Sequence, residues 1–452
     1  MRLNRQPTDA GITLIEVLVA MMIFAIIAVG VGYGLVTALY LGHDARSREA
    51  AVNLAAQEID LARTSSNVFT VLSRDTTVVQ NGTTFTVHRA TDWETTSGAD
   101  GNCGSGGGQL RYRRVNVTVT WDSMRATTPA VRADSALAPG SRINDPDLGT
   151  ILVSVLTASG GGAAGVTISA VPGSVPNGAV ALTEAPAATD SEGCTYVLKV
   201  KPGTYEVSAS RPNYIDKNQS AVSTATAGVV AGGATSVSFV YDLAGSITAD
   251  YATNYTSGSP LLPTNLSTTF RSTYQDYAAV NSTNAASQTF QLHPFSAGYE
   301  VLAGTYIAAT PTTPGCISVD PTAWDTPAAD GAIGTRVAPV ATLPGDSANV
   351  DVSMGVLSVT GLGGQYLRAV SATAPAGTDD PGCGAAMSFD FGQLPPDVTT
   401  QIALPYGSWS LYFGISSALP VRPVPDLSLA ILTRGETSTG VVTLDPRMVV
   451  AP

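Results

Sequence analysis

Gly11-Ile12-Thr13-Leu14-Ile15-Glu16 opens a run, 12–42, in which Glu16 is the sole charged side chain. Roughly 20 apolar residues cross a bilayer as a helix, so the run is long enough to be a transmembrane helix. A carboxylate in hydrocarbon is costly and therefore expected to have a partner. Ahead of the run stands a short polar leader carrying Arg2 and Arg5, which the positive-inside bias keeps in the cytoplasm. A cleavable secretory signal has a shorter apolar core and an A-x-A-like site, which Thr37-Ala38-Leu39-Tyr40 does not match.

The helical pattern continues past the membrane-length run. Residues 43–63 contain neither Gly nor Pro, and Val52, Ala55, Ile59 and Ala62 recur at helical spacing, which predicts one buried face. Thr64-Ser65-Ser66 ends the pattern.

A leader ending in Gly, a hydrophobic first residue and then Thr-Leu-Ile-Glu resemble the N-terminus of type IV prepilins. The resemblance implies that a membrane prepilin peptidase cuts between Gly11 and Ile12 and methylates the new N-terminus at Ile12. The family's fifth mature residue is a Glu, matched by Glu16, and other pilin subunits are the implied partners. A neighbouring subunit's α-ammonium would neutralise the Glu16 carboxylate in the membrane. Ile12 departs from the Phe or Met usual in the family. Gly30, Gly32 and Gly34 interrupt the helix, and each costs about 1 kcal/mol relative to Ala. In assembled pili of the family a central part of the helix melts, and these glycines are where that would occur; close packing of small residues between membrane helices is the other explanation.

Composition bounds the rest. The 452 residues are enough for about three domains and several cores. A formal net charge of −12 argues against nucleic-acid binding, which needs a basic patch. Abundant Gly and Pro, with Thr, Ser, Ala and Val between them, suit an exported all-β protein with many turns. Cys103, Cys194, Cys316 and Cys383 form no CxxC or Cys/His cluster, and their even number is compatible with two disulfides in one of three connectivities. Sequential pairing, Cys103 with Cys194 and Cys316 with Cys383, is preferred here, with free buried thiols as the alternative.

Beyond Ser66 the period changes from helical to alternating. Val115, Val117, Val119 and Trp121 face one side and Asn116, Thr118, Thr120 and Asp122 the other, the pattern of a half-buried strand. An earlier strand, 83–89, is separated from it by a Gly-rich loop at 104–108 beside Cys103. The V-x-V-x-W strand after a long helix resembles minor pilins and pseudopilins, which implies a helix packed on a small antiparallel sheet. Residues 126–146, rich in Ala, Pro, Ser and Asp, read as the end of that domain and a linker.

The remainder repeats itself. Pro202-Gly203-Thr204-Tyr205, Ala303-Gly304-Thr305-Tyr306 and Tyr406-Gly407-Ser408-Trp409 recur at a spacing of about one hundred residues, the size of one β-sandwich. Each follows a predicted strand, so each is expected to be a β-hairpin with Gly at its turn. Terminal strands are expected at 236–241, 349–353 and 439–444. The first repeat, with Thr189-Asp190-Ser191-Glu192-Gly193 before it and Arg211-Pro212-Asn213-Tyr214 after it, resembles carboxypeptidase regulatory-like domains. Such modules are mostly stalks and spacers, so the resemblance implies a fold and says nothing of a ligand.

The expected organisation is α+β: a leader 1–11, a pilin-like domain 12–146 with its helix at 12–64, and all-β sandwiches at 147–243, 244–353 and 354–452. Lys199, Lys201 and Lys217 are the only lysines, which excludes Lys-to-Asn crosslinks from the second and third sandwiches. His43, His88 and His293 are too dispersed for a triad or metal site, so no catalytic residue, metal or cofactor is expected. Asp145 with Asp147 and Asp379 with Asp380 read as solvated turns rather than calcium loops. Trp409, Leu411 and Phe413 alternate as core residues, and Trp324, Trp409, Tyr412 and Phe413 are the alternative adhesive patch.

These observations point to a non-enzymatic minor type IV pilin, inserted in the cytoplasmic membrane with its N-terminus inside and then exposed on a filament at the cell surface. A type II secretion pseudopilin and a membrane-anchored adhesin outside any filament are the alternatives. A surface ligand for the β-domains is compatible with the first of these.

Overall fold

The structure is a computed structural model that describes residues 14–65, 68–95, 98–100, 103, 110–122, 124, 128–138, 145–175, 177–312, 315–396, 399–418 and 420–448. Gly11 and Ile12 lie outside the described residues. The chain forms two compact units. One comprises 1–153, 190–202 and 229–236, and the other 154–189, 203–228 and 237–452.

The first unit is built on helix α1, Leu14–Arg63, whose 50 residues extend about 75 Å at 1.5 Å per residue. It is continuous through Gly30, Gly32 and Gly34. Its buried positions begin only at Ser47 and continue through Ala51, Leu54, Ala55, Glu58, Ile59 and Ala62, spaced three and four apart on one face. That face packs on an antiparallel sheet ordered Arg74–Gln80, Thr83–Thr95, Leu110–Trp121, Val131–Leu137, with Gly98–Asp100 paired to the second strand. Leu54 and Ile59 meet Phe85, Val87, Val115, Val117, Val119 and Trp121. The predicted alternation along 115–121 is therefore the contact between sheet and helix.

Residues 126–146 correct the sequence expectation, because Val131–Leu137 is an edge strand of this sheet, in register from Val119↔Val131 to Arg113↔Leu137. Its composition hides it, since an edge strand with one exposed face tolerates Ala, Asp and Ser. A second, smaller core in the same unit joins Trp93, Cys103 and Leu110 to Leu152, Cys194 and Tyr196.

The second unit is all-β. Thr167–Pro172 and Val222–Val229 flank Gly203–Ser210 in one sheet of the first sandwich. In the second sandwich, Ser287–Leu292, Gly245–Tyr251 and Ser347–Val352 face Asp276–Val280, Ser267–Arg271 and Glu300–Ala303. The pairing of Gly245–Tyr251 with Ser347–Val352 is parallel. In the third, Thr399–Leu404, Gly355–Thr360 and Leu429–Ile431 oppose a sheet of Ser388–Gln393, Tyr366–Ser371, Gly407–Gly414, Val441–Leu444 and Gly435–Ser438, with Arg422–Pro423 also paired to Gly407–Gly414. One core runs through the second and third sandwiches, from Ile247 and Phe270 through Met354 and Val356 to Trp409 and Leu444.

The Gly turns are not hairpins. Thr399–Leu404 pairs with Gly355–Thr360, whereas Gly407–Gly414 pairs with Tyr366–Ser371 and Val441–Leu444, so Gly407 passes the chain from one sheet to the other. Gly203–Ser210 likewise pairs with Thr167–Pro172. After Gly304 the chain continues into an isolated bridge, Ile307 to Cys316, rather than a strand paired with Glu300–Ala303. Glycine is required at these crossings: Gly203 and Gly407 have φ of +149° and +127°, and a Cβ on Gly203 would lie 2.4 Å from Ala179 N.

Candidate assembly helix and its head

Glu16 sits in the first described turn of α1 and is exposed, beside Val17, Ala20, Met21 and Phe24. No ion pair to it forms among the described residues. Leu14, Phe24, Tyr33 and Tyr40 are 80 %, 73 %, 76 % and 64 % exposed, so the apolar half of α1 has no packing partner among the described residues. The helix is long and apolar enough to cross a membrane.

The lower half of α1 is fixed to the sheet by charge as well as by packing. Glu58, buried on the helix, accepts bonds from Arg74 Nε and Nη2, both at 2.9 Å, and from Arg89 Nη1 at 2.8 Å. Arg89 also donates through Nε to the Leu72 carbonyl at 2.9 Å. Burial pulls the Arg89 guanidinium below its usual pKa, and the Glu58 charge opposes that pull. The Glu58 hydrogen bond raises Arg74, which lies nearer the surface.

Above this, segment 190–202 is joined to the sheet within the same unit. A disulfide links Cys103 to Cys194, with Cα atoms 5.8 Å apart. Asp190 accepts from Ser73 N (2.9 Å) through Oδ2, and from Cys194 N (2.8 Å) and Glu192 N (3.1 Å) through Oδ1. Burial raises the Asp190 pKa against the pull of those N–H groups. Arg113, fully buried, donates through Nη2 to Thr91 Oγ1 at 2.7 Å and lies against the rings of Trp93 and Tyr196. His88 Nδ1 is 2.6 Å from Asp75 Oδ1, and its Nε2 is 3.6 Å from Glu192.

In the second unit a disulfide links Cys316 to Cys383. Trp324, Trp409 and Leu411 are buried and Phe413 packs on the same core as Trp409, so these residues fill the interior. Asp145 closes a turn by accepting from Asp147 N at 2.9 Å. Asp380 accepts from Ser408 Oγ at 2.6 Å and Gly382 N at 2.9 Å, and Asp379 pairs with Arg447 at 3.1 Å. Among the described residues no group of three or more His, Cys, Asp or Glu is placed to hold a metal.

Several structural residues escaped the sequence. Glu58, Arg89, Arg113 and Asp320, which pairs with Arg271 and Arg336, are charged residues in interiors. Only a charged residue breaking an apolar face, as Glu58 breaks the stripe of Ala55, Ile59 and Ala62, offers a signal.

Residues 7–32 match the prokaryotic N-terminal methylation motif. The matched residues include the start of α1, within its exposed apolar half. No curated protein matches the chain. Among solved structures, the Bacillus anthracis TIE protein is 10 % identical over 76 % of this chain and 68 % of its own, at a TM-score of 0.18. A streptococcal ancillary pilin is 8 % identical over 58 % and 92 %, at 0.20, and the major pilin subunit of Bacillus cereus 9 % identical over 59 % and 87 %, at 0.15. With scores this low, none of the three bears on the role of this chain.

Proposed function

We propose that this chain is a minor type IV pilin: a structural subunit, not an enzyme, that presents β-sandwiches on a filament. The observation that carries this reading is the methylation motif at 7–32 running into a helix that buries nothing of itself before Ser47. An apolar helix with no partner among the described residues of its own chain needs a bilayer before assembly and neighbouring helices after it. In this reading prepilin peptidase cuts after Gly11 and methylates Ile12, and Glu16 pairs with the N-terminus of a neighbour. The domains 12–146, 147–243, 244–353 and 354–452 form a head too bulky to repeat along a confined secretion pseudopilus. The final location is the cell surface, and adhesion is the role proposed for the sandwiches.

Intact-mass analysis of the chain expressed with a prepilin peptidase tests the first step. A mature protein beginning at Ile12 with one added methyl group is expected, and Gly11→Asp should retain the leader. An unprocessed mass in the unaltered chain would sink the reading. Immunogold labelling of sheared filaments tests the second step, and label confined to the membrane fraction would favour an anchored adhesin.

A further inference from the structure

The turn Asp216-Lys217-Asn218-Gln219-Ser220 follows strand Tyr214–Asp216 of the first sandwich and is shaped by one carboxylate. Asp216 Oδ1 accepts from Asn218 N at 2.9 Å and Ser220 N at 2.8 Å, and Oδ2 accepts from Ser223 Oγ at 2.9 Å. Gln219 N donates to the Asp216 carbonyl at 2.9 Å. The turn leaves Gln219 at φ +66°, in the left-handed region uncommon for residues with a side chain. Such a conformation persists where its surroundings over-determine it.

The support comes from the second sandwich. Gln219 Nε2 donates to Tyr299 Oη at 2.9 Å, and its Oε1 accepts from His293 N at 2.8 Å. Tyr299 Oη in turn donates to the His293 carbonyl at 2.6 Å, which closes a cycle around one carboxamide. The His293 ring is fully buried, with Nδ1 3.1 Å from the carbonyl of Ile215, on the strand that leads into the turn. That carbonyl can only accept, so Nδ1 carries the proton and Nε2 the lone pair. Nε2 is buried and has no hydrogen-bond partner among the described residues. Phe295 packs edge-on to the imidazole at 4.7 Å. The charged and titratable groups around it are Asp216 and Asp242 from the first sandwich and Tyr299 from the second. Lys217 lies over the Tyr274 ring at 4.6 Å, and Tyr274 Oη donates to Asn218 Oδ1 at 3.2 Å.

The geometry points to an acid-released latch between the first and second sandwiches, in which Gln219 is the key and His293 the group whose protonation opens it. A proton added at Nε2 would place a cation where the new N–H meets no acceptor, and opening to water removes that penalty. The closed latch therefore binds this proton less readily than the open one. Burial lowers the His293 pKa, against the weaker opposing pulls of the Ile215 carbonyl, Asp242 and Asp216. A histidine depressed in the closed form leaves the latch at full strength above the ordinary pKa of about 6.5. Below that value the closing constant falls by up to about tenfold per pH unit, until the closed-state pKa is passed. The second and third sandwiches share a core, so release would create a hinge ahead of both. This inference goes beyond the filament reading and does not depend on it.

His293 is the only histidine of the second unit, which makes the test specific. Hydrogen exchange of the full chain in detergent micelles is followed by mass spectrometry from about pH 7.5 to about pH 5, with rates normalised to the intrinsic rate at each pH. Peptides covering 215–220 and 293–299 are expected to lose protection about tenfold per unit below about pH 6.5, while Gly355–Thr360 stays protected. His293→Gln should abolish the pH response, and Gln219→Ala should expose both segments at every pH. Constant protection in the unaltered chain, or the same response in His293→Gln, would overturn the latch. Where His293→Gln does not fold, the His293 C2–H titration in the unaltered chain decides. Its midpoint must fall below about 6.5, within the range over which protection is being lost, and a midpoint at or above that value overturns the proposal.

Discussion

Trp93 and Arg113 are direct cross-strand partners, and the Arg113 guanidinium carbon lies 5.3 Å from the Trp93 ring centroid and 4.8 Å from that of Tyr196. A fully buried cation is thus held between two aromatic faces, within electrostatic reach of Asp190, and among the described residues its hydrogen bond is to Thr91, with Nε and Nη1 unbonded. Burying an ion this way stabilises little, whereas stripping its partners is costly. Arg113→Met should stay within about 1.5 kcal/mol of the unaltered chain in chemical denaturation, and Tyr196→Ala should lose about 3–5 kcal/mol. A larger loss for Arg113→Met than for Tyr196→Ala would contradict this account.

Glu58 poses the opposite case, because it neutralises Arg89 in the interface between α1 and the sheet. Glu58→Ala should cost about 3–5 kcal/mol by leaving Arg89 charged and buried. Arg74→Ala should cost less than about 1 kcal/mol, since the Arg74 side chain is 46 % exposed. Thermal melts of the two variants that move by equal amounts would show that the charge on Arg89 is not the cause.

The two disulfides close loops with sequence separations of 91 and 67. Chain entropy sets the loss for Cys103→Ser with Cys194→Ser at about 4–5 kcal/mol, with a slightly smaller loss for Cys316→Ser with Cys383→Ser. Peptide mapping without reductant should recover both linked pairs. Four free thiols, or crossed pairs, would remove the basis of the prediction.

Glycines on the helix and at the sheet crossings should respond with opposite signs. At Gly30 an added Cβ meets nothing within 4 Å, so Gly30→Ala should strengthen the helix by about 1 kcal/mol. At Gly407 the Cβ would lie 3.0 Å from Ser318 Cβ on a backbone with φ +127°, and Gly407→Ala should cost about 1–3 kcal/mol. Melting temperatures that rise for Gly407→Ala would refute the crossing geometry.

Glu16→Ala should leave the protein in the membrane fraction, because the apolar run is unchanged, yet reduce its recovery in sheared filaments. Undiminished recovery would rule out pairing of Glu16 with a neighbouring N-terminus.

Local pattern carried much of this fold. The helix was legible because 12–63 combines an uncharged run with a stripe of period 3.6, and the strand at 115–121 because its valines alternate strictly. Val131–Leu137 was not, since an edge strand needs neither a full apolar face nor high β-propensity. The crossings at Gly203 and Gly407 were misread as hairpins for a different reason. A Gly between two strands marks a reversal, but whether the flanking strands pair with each other depends on partners far away. Gly407 pairs with Leu444 and Val356 with Ala403, and the local residues cannot encode either choice.

By itself, then, the sequence determined the N-terminal motif, the membrane-length helix and the succession of sandwiches, because each rests on the spacing of neighbouring residues. The tertiary structure alone decided that Glu58 meets Arg74 and Arg89, that Arg113 lies between Trp93 and Tyr196, and that Gln219 reaches Tyr299 and His293. Burial of a charged or polar side chain is tolerable only against partners brought from distant parts of the chain, and those partners are set by folding rather than by adjacency.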